Sequence, residues 1–179
     1  LHPAIAEHIW VFGDDYVLSA YDAGLTQVLH RHASVLDGQK RSRGTVRDLH
    51  GKTRRVDLLL SRSRHDGNSI SQLVVELKRP GLEVTRDEVT QIEDYALTVA
   101  DDPRFNTSSV RWLFVLVAET FDAVVRKRLE QPQFGPNIVY DAGGVTVKVL
   151  KWADLFEQNR QRLHFFKDLL AVVPTESES

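Results

Sequence analysis

The sequence predicts an α/β fold in which one mixed sheet is covered by helices, and three observations point there. Val110 to Ala118 is a nearly continuous apolar run, as expected of a central strand buried on both faces. Arg55 to Ser61 and Ser71 to Lys78 read as two strands of an antiparallel hairpin, joined by a loop containing Asp66-Gly67-Asn68. Thr85 opens a helical stretch to about Ala100, with Glu88 placed to complete a capping box.

The remaining elements follow in order. His2 to about Phe12 carries Ile5, Ile9 and Phe12 at helical spacing, and Gly13-Asp14-Asp15 breaks it. A second helix is expected from Asp22 or Gly24 to Leu36, with Leu25, Val28, Leu29 and Leu36 on its apolar side. Gln39 to Arg55 is polar and basic, with a short strand expected over Thr45 to Leu49. Pro80-Gly81 stops the second hairpin strand. Phe121 to Gln131 reads as a helix, Ile138 to Tyr140 and Val145 to Leu150 as a hairpin, and Trp152 to Leu170 as the last helix. Trp10, Trp112 and Trp152 are expected in the core. Residues 1–173 are expected to form one domain, and residues 174–179 a disordered tail.

Composition narrows the function classes. The chain has 179 residues, 42% apolar and 27% charged, the balance of a globular domain with a substantial core. Its net charge of -2 exerts no global pull on nucleic acid, so any basic surface is local. With no cysteine, disulfide scaffolds, thiolate zinc sites and cysteine nucleophiles are excluded. Neither a membrane span nor a signal peptide is legible, and a cytoplasmic setting is expected. A chain that opens at Leu1 and holds no methionine is expected to be a piece of a longer protein, with upstream domains that regulate it.

The candidate chemistry lies on the hairpin. Alternate residues of a strand share a face, so Glu76 and Lys78 project together beside Val74, while Leu73, Val75 and Leu77 form an apolar opposite face. Asp57 lies 19 residues before Glu76, a spacing at which a hairpin returns the chain to the same level. Charges so placed are either a cross-strand pair on an exposed sheet face or a functional cluster. Gln91 and Tyr95 lie four apart on one face of the helix that follows.

In this order, Asp57, Glu76-Leu77-Lys78 and Gln91-xxx-Tyr95 resemble the PD-(D/E)XK, or restriction-endonuclease-like, superfamily. Val56 stands where the family usually has proline. The opening Ile5-Ala6-Glu7-His8-Ile9-Trp10-Val11-Phe12-Gly13 adds a likeness to the nuclease domain of Shedu-type bacterial defence proteins, over roughly Glu7 to Ala118. The resemblance implies a core of helix, three strands, helix and strand. It also implies a metal-dependent deoxyribonuclease, the effector part of a larger antiphage protein. By that resemblance Asp57, Glu76 and the Leu77 carbonyl would hold Mg2+, with Mn2+ able to substitute, and Lys78 and Gln91 would act on the water or phosphate. Glu7 is either a further metal ligand or a solvent-facing helix residue. Tyr95 either meets the nucleic acid or packs in the core. Lys40, Arg41, Arg43, Arg47, Arg54 and Arg55 would hold the phosphate backbone of DNA, or form a solvated loop. Self-association is a further expectation. A catalytically inactive nucleic-acid-binding or assembly module is the alternative reading. No phosphate-loop motif and no Gly-x-Ser-x-Gly motif is present.

Overall fold

In a computed structural model, residues 2–24, 26–27, 29–30, 55–63, 70–103, 105, 107, 109–131 and 133–172 are described. A short helix α1 (His2–Ala6) and a 3-10 turn (Ile9–Phe12) precede strand β1 (Val17–Gly24). Then come β2 (Arg55–Ser63), β3 (Ile70–Leu77), the two-residue β4 (Glu83–Val84) and helix α2 (Arg86–Ala100). They are followed by β5 (Val110–Ala118), β6 (Thr120–Phe121), helix α3 (Ala123–Leu129), β7 (Ile138–Ala142), β8 (Val145–Lys151) and helix α4 (Trp152–Val172).

Six strands form one mixed sheet in the order β1-β2-β3-β5-β8-β7. The β1, β2 and β3 strands make an antiparallel meander, β5 and β8 run parallel to β3, and β7 returns antiparallel along the far edge. The crossover from β3 to β5 is made by α2, as a parallel pair requires. A small second sheet pairs β4 with β6.

Alternation along the strands divides the core in two. Leu59, Val74, Phe114, Leu116, Val147 and Val149 point to one face, where Val89, Ile92 and Tyr95 of α2 and Val125 of α3 cover them. Leu58, Leu60, Leu73, Val75, Val115 and Val117 point to the other, against Ile5, Ala6 and Ile9 and against Leu155 of α4. Helices therefore lie on both faces, and β5 is buried between them along most of its length.

Local signals explain the element ends. The Thr85 hydroxyl accepts from the Asp87 N–H, and Glu88 reaches back to the Thr85 N–H at 2.8 Å, so the expected capping box is formed. Asp122 caps α3 by accepting from the Val125 N–H at 2.7 Å. The β7–β8 turn is made by Gly143 and Gly144, both at positive φ.

Several expectations are corrected. The chain over Val17–Gly24 is a strand, so the second helix does not begin at Asp22 or Gly24; residues 26–27 and 29–30 are helical, and Leu29 is buried. Tertiary pairing overrides the helical spacing there, because Tyr21 and Ala23 find ladder partners in Leu58 and Val56. Residues 31–36, the basic segment up to Arg54 and the expected tail all lie outside the described residues. Phe121 belongs to β6, and the helix after it starts at Ala123. Trp112 is buried, its indole N–H donating to the Phe105 carbonyl at 3.0 Å, whereas Trp10 is 42% exposed and is not a core residue. Trp152 packs partly buried at the start of α4. Among the described residues, no helix is long and apolar enough to cross a membrane.

Candidate active site

The pairing of β2 with β3 builds the site. Leu58 lies opposite Val75, so one further step of the same register sets Asp57 beside Glu76. Directly opposed residues share a face, and both carboxylates therefore stand on the side covered by α2, level with Leu59 and Val74. The Leu77 N–H donates to Asp57 Oδ2 at 2.6 Å, a short charge-assisted bond that fixes this carboxylate against the end of β3.

Lys78 follows immediately. Its backbone N–H donates to the Val117 carbonyl at 2.9 Å, which carries the β3–β5 pairing one residue past the strand. Held there, its ammonium lies 3.0 Å from Glu76 Oε1, and both side chains are only 14% exposed. An ion pair this far from water loses hydration on both partners, so it is weak evidence for a stabilising role. The turn after Lys78 is pinned by Gly81, at φ 81°, whose N–H donates to Glu119 Oε2 at 2.7 Å.

Lys78 also acts across to α2. Burial alone would raise the Glu88 carboxyl, but the hydroxyl and N–H of Thr85, the N–H of Glu88 itself and the charge of Lys78 outweigh it and hold Glu88 below its ordinary value. Glu88 and Glu119 thus steady the surroundings of Lys78. Nothing in their spacing announced this, although the capping box had marked Glu88.

The other expected site residues fall in different places. Gln91 is half-buried, and its Nε2 donates to the Tyr95 hydroxyl at 2.7 Å, so the two share a helix face as the spacing implied. Tyr95 is 2% exposed in the core beneath α2, and its ring offers no surface to a nucleic acid. Of the two readings of Tyr95, its burial supports packing in the core. Glu7 is exposed just after α1, whose apolar residues pack on the face opposite Asp57 and Glu76. Among the described residues no group of three or more His, Asp or Glu side chains is placed to hold a metal ion, so Glu7 is not gathered to the other two carboxylates. Arg55 is exposed and binds Asp22, with 3.1 Å from its Nε to Oδ1. Lys40, Arg41, Arg43, Arg47 and Arg54 lie outside the described residues.

The two carboxylates and the lysine together carry one net negative charge at the end of a buried hairpin. The donors are oxygens only, which suits a hard divalent cation such as Mg2+ or Mn2+, and two carboxylates are the usual protein share of a Mg2+ site completed by water and substrate phosphate. The residues present therefore fit such an ion.

The fold itself is a mixed α/β sheet with helices on both faces. Its run of α1, the β1-β2-β3 meander, α2 and β5 fits the restriction-endonuclease-like order of helix, three strands, helix and strand. Among solved structures, a repair endonuclease from Pyrococcus abyssi is similar over 83% of this chain and 42% of its own length, at 17% identity and a TM-score of 0.41. A likeness at that level says nothing of activity, and this chain spans less than half of that protein. No family model matches the chain, and no curated protein sequence matches it.

Proposed function

We propose that this chain is a metal-dependent nuclease that hydrolyses phosphodiester bonds of DNA. One observation carries the reading: Asp57, Glu76 and Lys78 converge at the end of one hairpin, with the Leu77 N–H on Asp57 and the Lys78 ammonium on Glu76. Asp57, Glu76 and the Leu77 carbonyl would hold Mg2+, or Mn2+ in its place. When bound, the ion supplies positive charge for the scissile phosphate and lowers the pKa of a coordinated water.

The chain's own groups do the rest. The Leu77 N–H keeps Asp57 from rotating away. Lys78 shifts from Glu76 to donate to the attacking water and to the phosphate oxygen on which charge develops. A new P–O bond forms to that water as the bond to the leaving oxygen breaks; the water gives up a proton to solvent, and the leaving oxygen takes one up from solvent in return. Gln91, which donates to the Tyr95 hydroxyl at 2.7 Å, would have to leave that partner to position water or phosphate. The basic stretch from Lys40 to Arg55 would hold the backbone by sequence-independent attraction.

A role as the effector of a larger defence protein, with upstream domains or self-association as restraint, is proposed on the sequence resemblance alone. The test is incubation of the protein with linear, circular and single-stranded DNA, and with RNA, in Mg2+, Mn2+ or EDTA. Cleavage of DNA that EDTA abolishes is expected. No cleavage of any substrate in either metal would favour the alternative, a nuclease-like module that binds without cutting.

A further inference from the structure

The opposite end of the sheet carries a second polar site. Arg62 pairs with Ser71, and Ser71 with Arg111, so the three side chains form one row across β2, β3 and β5. Neighbouring strands lie about 4.8 Å apart, which starts the two arginines about 10 Å apart with the Ser71 hydroxyl between them. Tyr16 and Thr146 close this row into a cleft of about 320 Å³. It shares the face of Leu60 and Leu73, opposite to Asp57 and Glu76. Ser71 also lies five residues, about 17 Å, along β3 from Glu76. The two sites are therefore separate.

The cleft holds more positive charge than it balances. Asp141 is its carboxylate, and Thr146 donates to Asp141 Oδ1 at 2.9 Å. Arg62 and Arg111 line the same cleft. The Arg62 guanidinium lies 4.9 Å over the Tyr16 ring, while its Nε is buried and meets no hydrogen-bond acceptor among the described residues. Buried N–H groups nearly always have a partner, and one on a cation all the more so. Arg111 is exposed and makes no ion pair among the described residues. Its side chain crosses the turn at Gly144, where φ is 82° and an added Cβ would lie 3.7 Å from Nη1. The turn thus keeps this guanidinium at the rim.

Two planar forks with a hydroxyl between them match the oxygens of a phosphate better than a carboxylate or a metal. We propose that this cleft binds the phosphates of a small phosphorylated ligand such as a nucleoside diphosphate. Its volume suits a pyrophosphate group and is too small for a duplex.

The experiment is calorimetric titration of the whole protein with inorganic pyrophosphate in EDTA, at ionic strength matched with NaCl. Saturable binding is expected, and Arg111→Ala should weaken it about ten-fold or more while leaving the unfolding midpoint in place, since Arg111 is exposed. Arg62→Gln should weaken binding further, and Arg62→Lys should restore part of it. Lys78→Ala should bind as tightly as the unaltered protein. Displacement of pyrophosphate by ADP supports the nucleotide reading, and displacement by a short DNA duplex but not by ADP overturns it. Absence of saturable binding, affinity unchanged in Arg111→Ala, or affinity lost in Lys78→Ala would each overturn the proposal.

Discussion

Replacing Asp57 by asparagine should leave the metal-free stability nearly unchanged and abolish the protein's response to metal. Asparagine keeps an oxygen where Asp57 Oδ2 accepts from the Leu77 N–H at 2.6 Å, so the bond survives in neutral form. A bond to a charged group contributes about 1.5–3 kcal/mol and a neutral one about 0.5–1.5, a loss of roughly 1 kcal/mol. Against this, cross-strand neighbours stand about 5 Å apart. At an effective dielectric near 20 the repulsion from Glu76 alone would be about 3 kcal/mol, but the Lys78 ammonium paired to Glu76 at 3.0 Å attracts Asp57 and cancels most of it. The two terms nearly offset, and a change of no more than about 1 kcal/mol in EDTA is expected. Mg2+ at about 100 times its dissociation constant should then stabilise the native protein by about 2.7 kcal/mol and Asp57→Asn by almost nothing. Urea denaturation in EDTA and in Mg2+ measures both terms, and a cleavage assay should show a loss of at least about 100-fold. If Mg2+ shifts the variant's midpoint as far as the native protein's, or if the variant cuts at the native rate, the carboxylate pair is not the metal site.

Glu76→Ala and Lys78→Ala should each abolish cleavage while the far-ultraviolet circular dichroism and cooperative unfolding persist; native activity in the glutamate variant would refute its role. Thr85→Ala should cost about 1 kcal/mol in thermal unfolding, because it removes the hydroxyl from the capping box. Glu88 is held below its ordinary value of 4.5, so its contribution is present above that pH and is lost as pH falls through the lowered folded value; Glu88→Gln should flatten the acid side of the stability profile. Neutralising Arg41, Arg43 and Arg47 together should reduce the log–log salt slope of duplex binding by about 0.9 for each phosphate left without its arginine, and an unchanged slope would mark the stretch as a solvated loop.

Much of this protein was legible in the sequence wherever local chemistry and the tertiary environment agree. The apolar run of β5 meant burial on both faces, the Thr85–Glu88 box meant a helix start, and the period of two placed Glu76 and Lys78 together. The 19-residue spacing placed Asp57 opposite Glu76, because antiparallel register is simple arithmetic once the turn lies midway. Strand β1 was hidden, since Val17–Gly24 has weak alternation and gains its ladder only from β2. The fate of Tyr95 was equally nonlocal: helical spacing said which face it shares with Gln91, and only the packing of α2 on the sheet decided that this face looks inward. Glu7 depended on which side of the sheet α1 covers, which no spacing within the helix encodes. The row of Arg62, Ser71 and Arg111 draws on three strands, two of them joined by a crossover. Sequence periodicity determines what each element presents, while the register between distant elements, set by burial of the whole sheet, decides which presented groups meet.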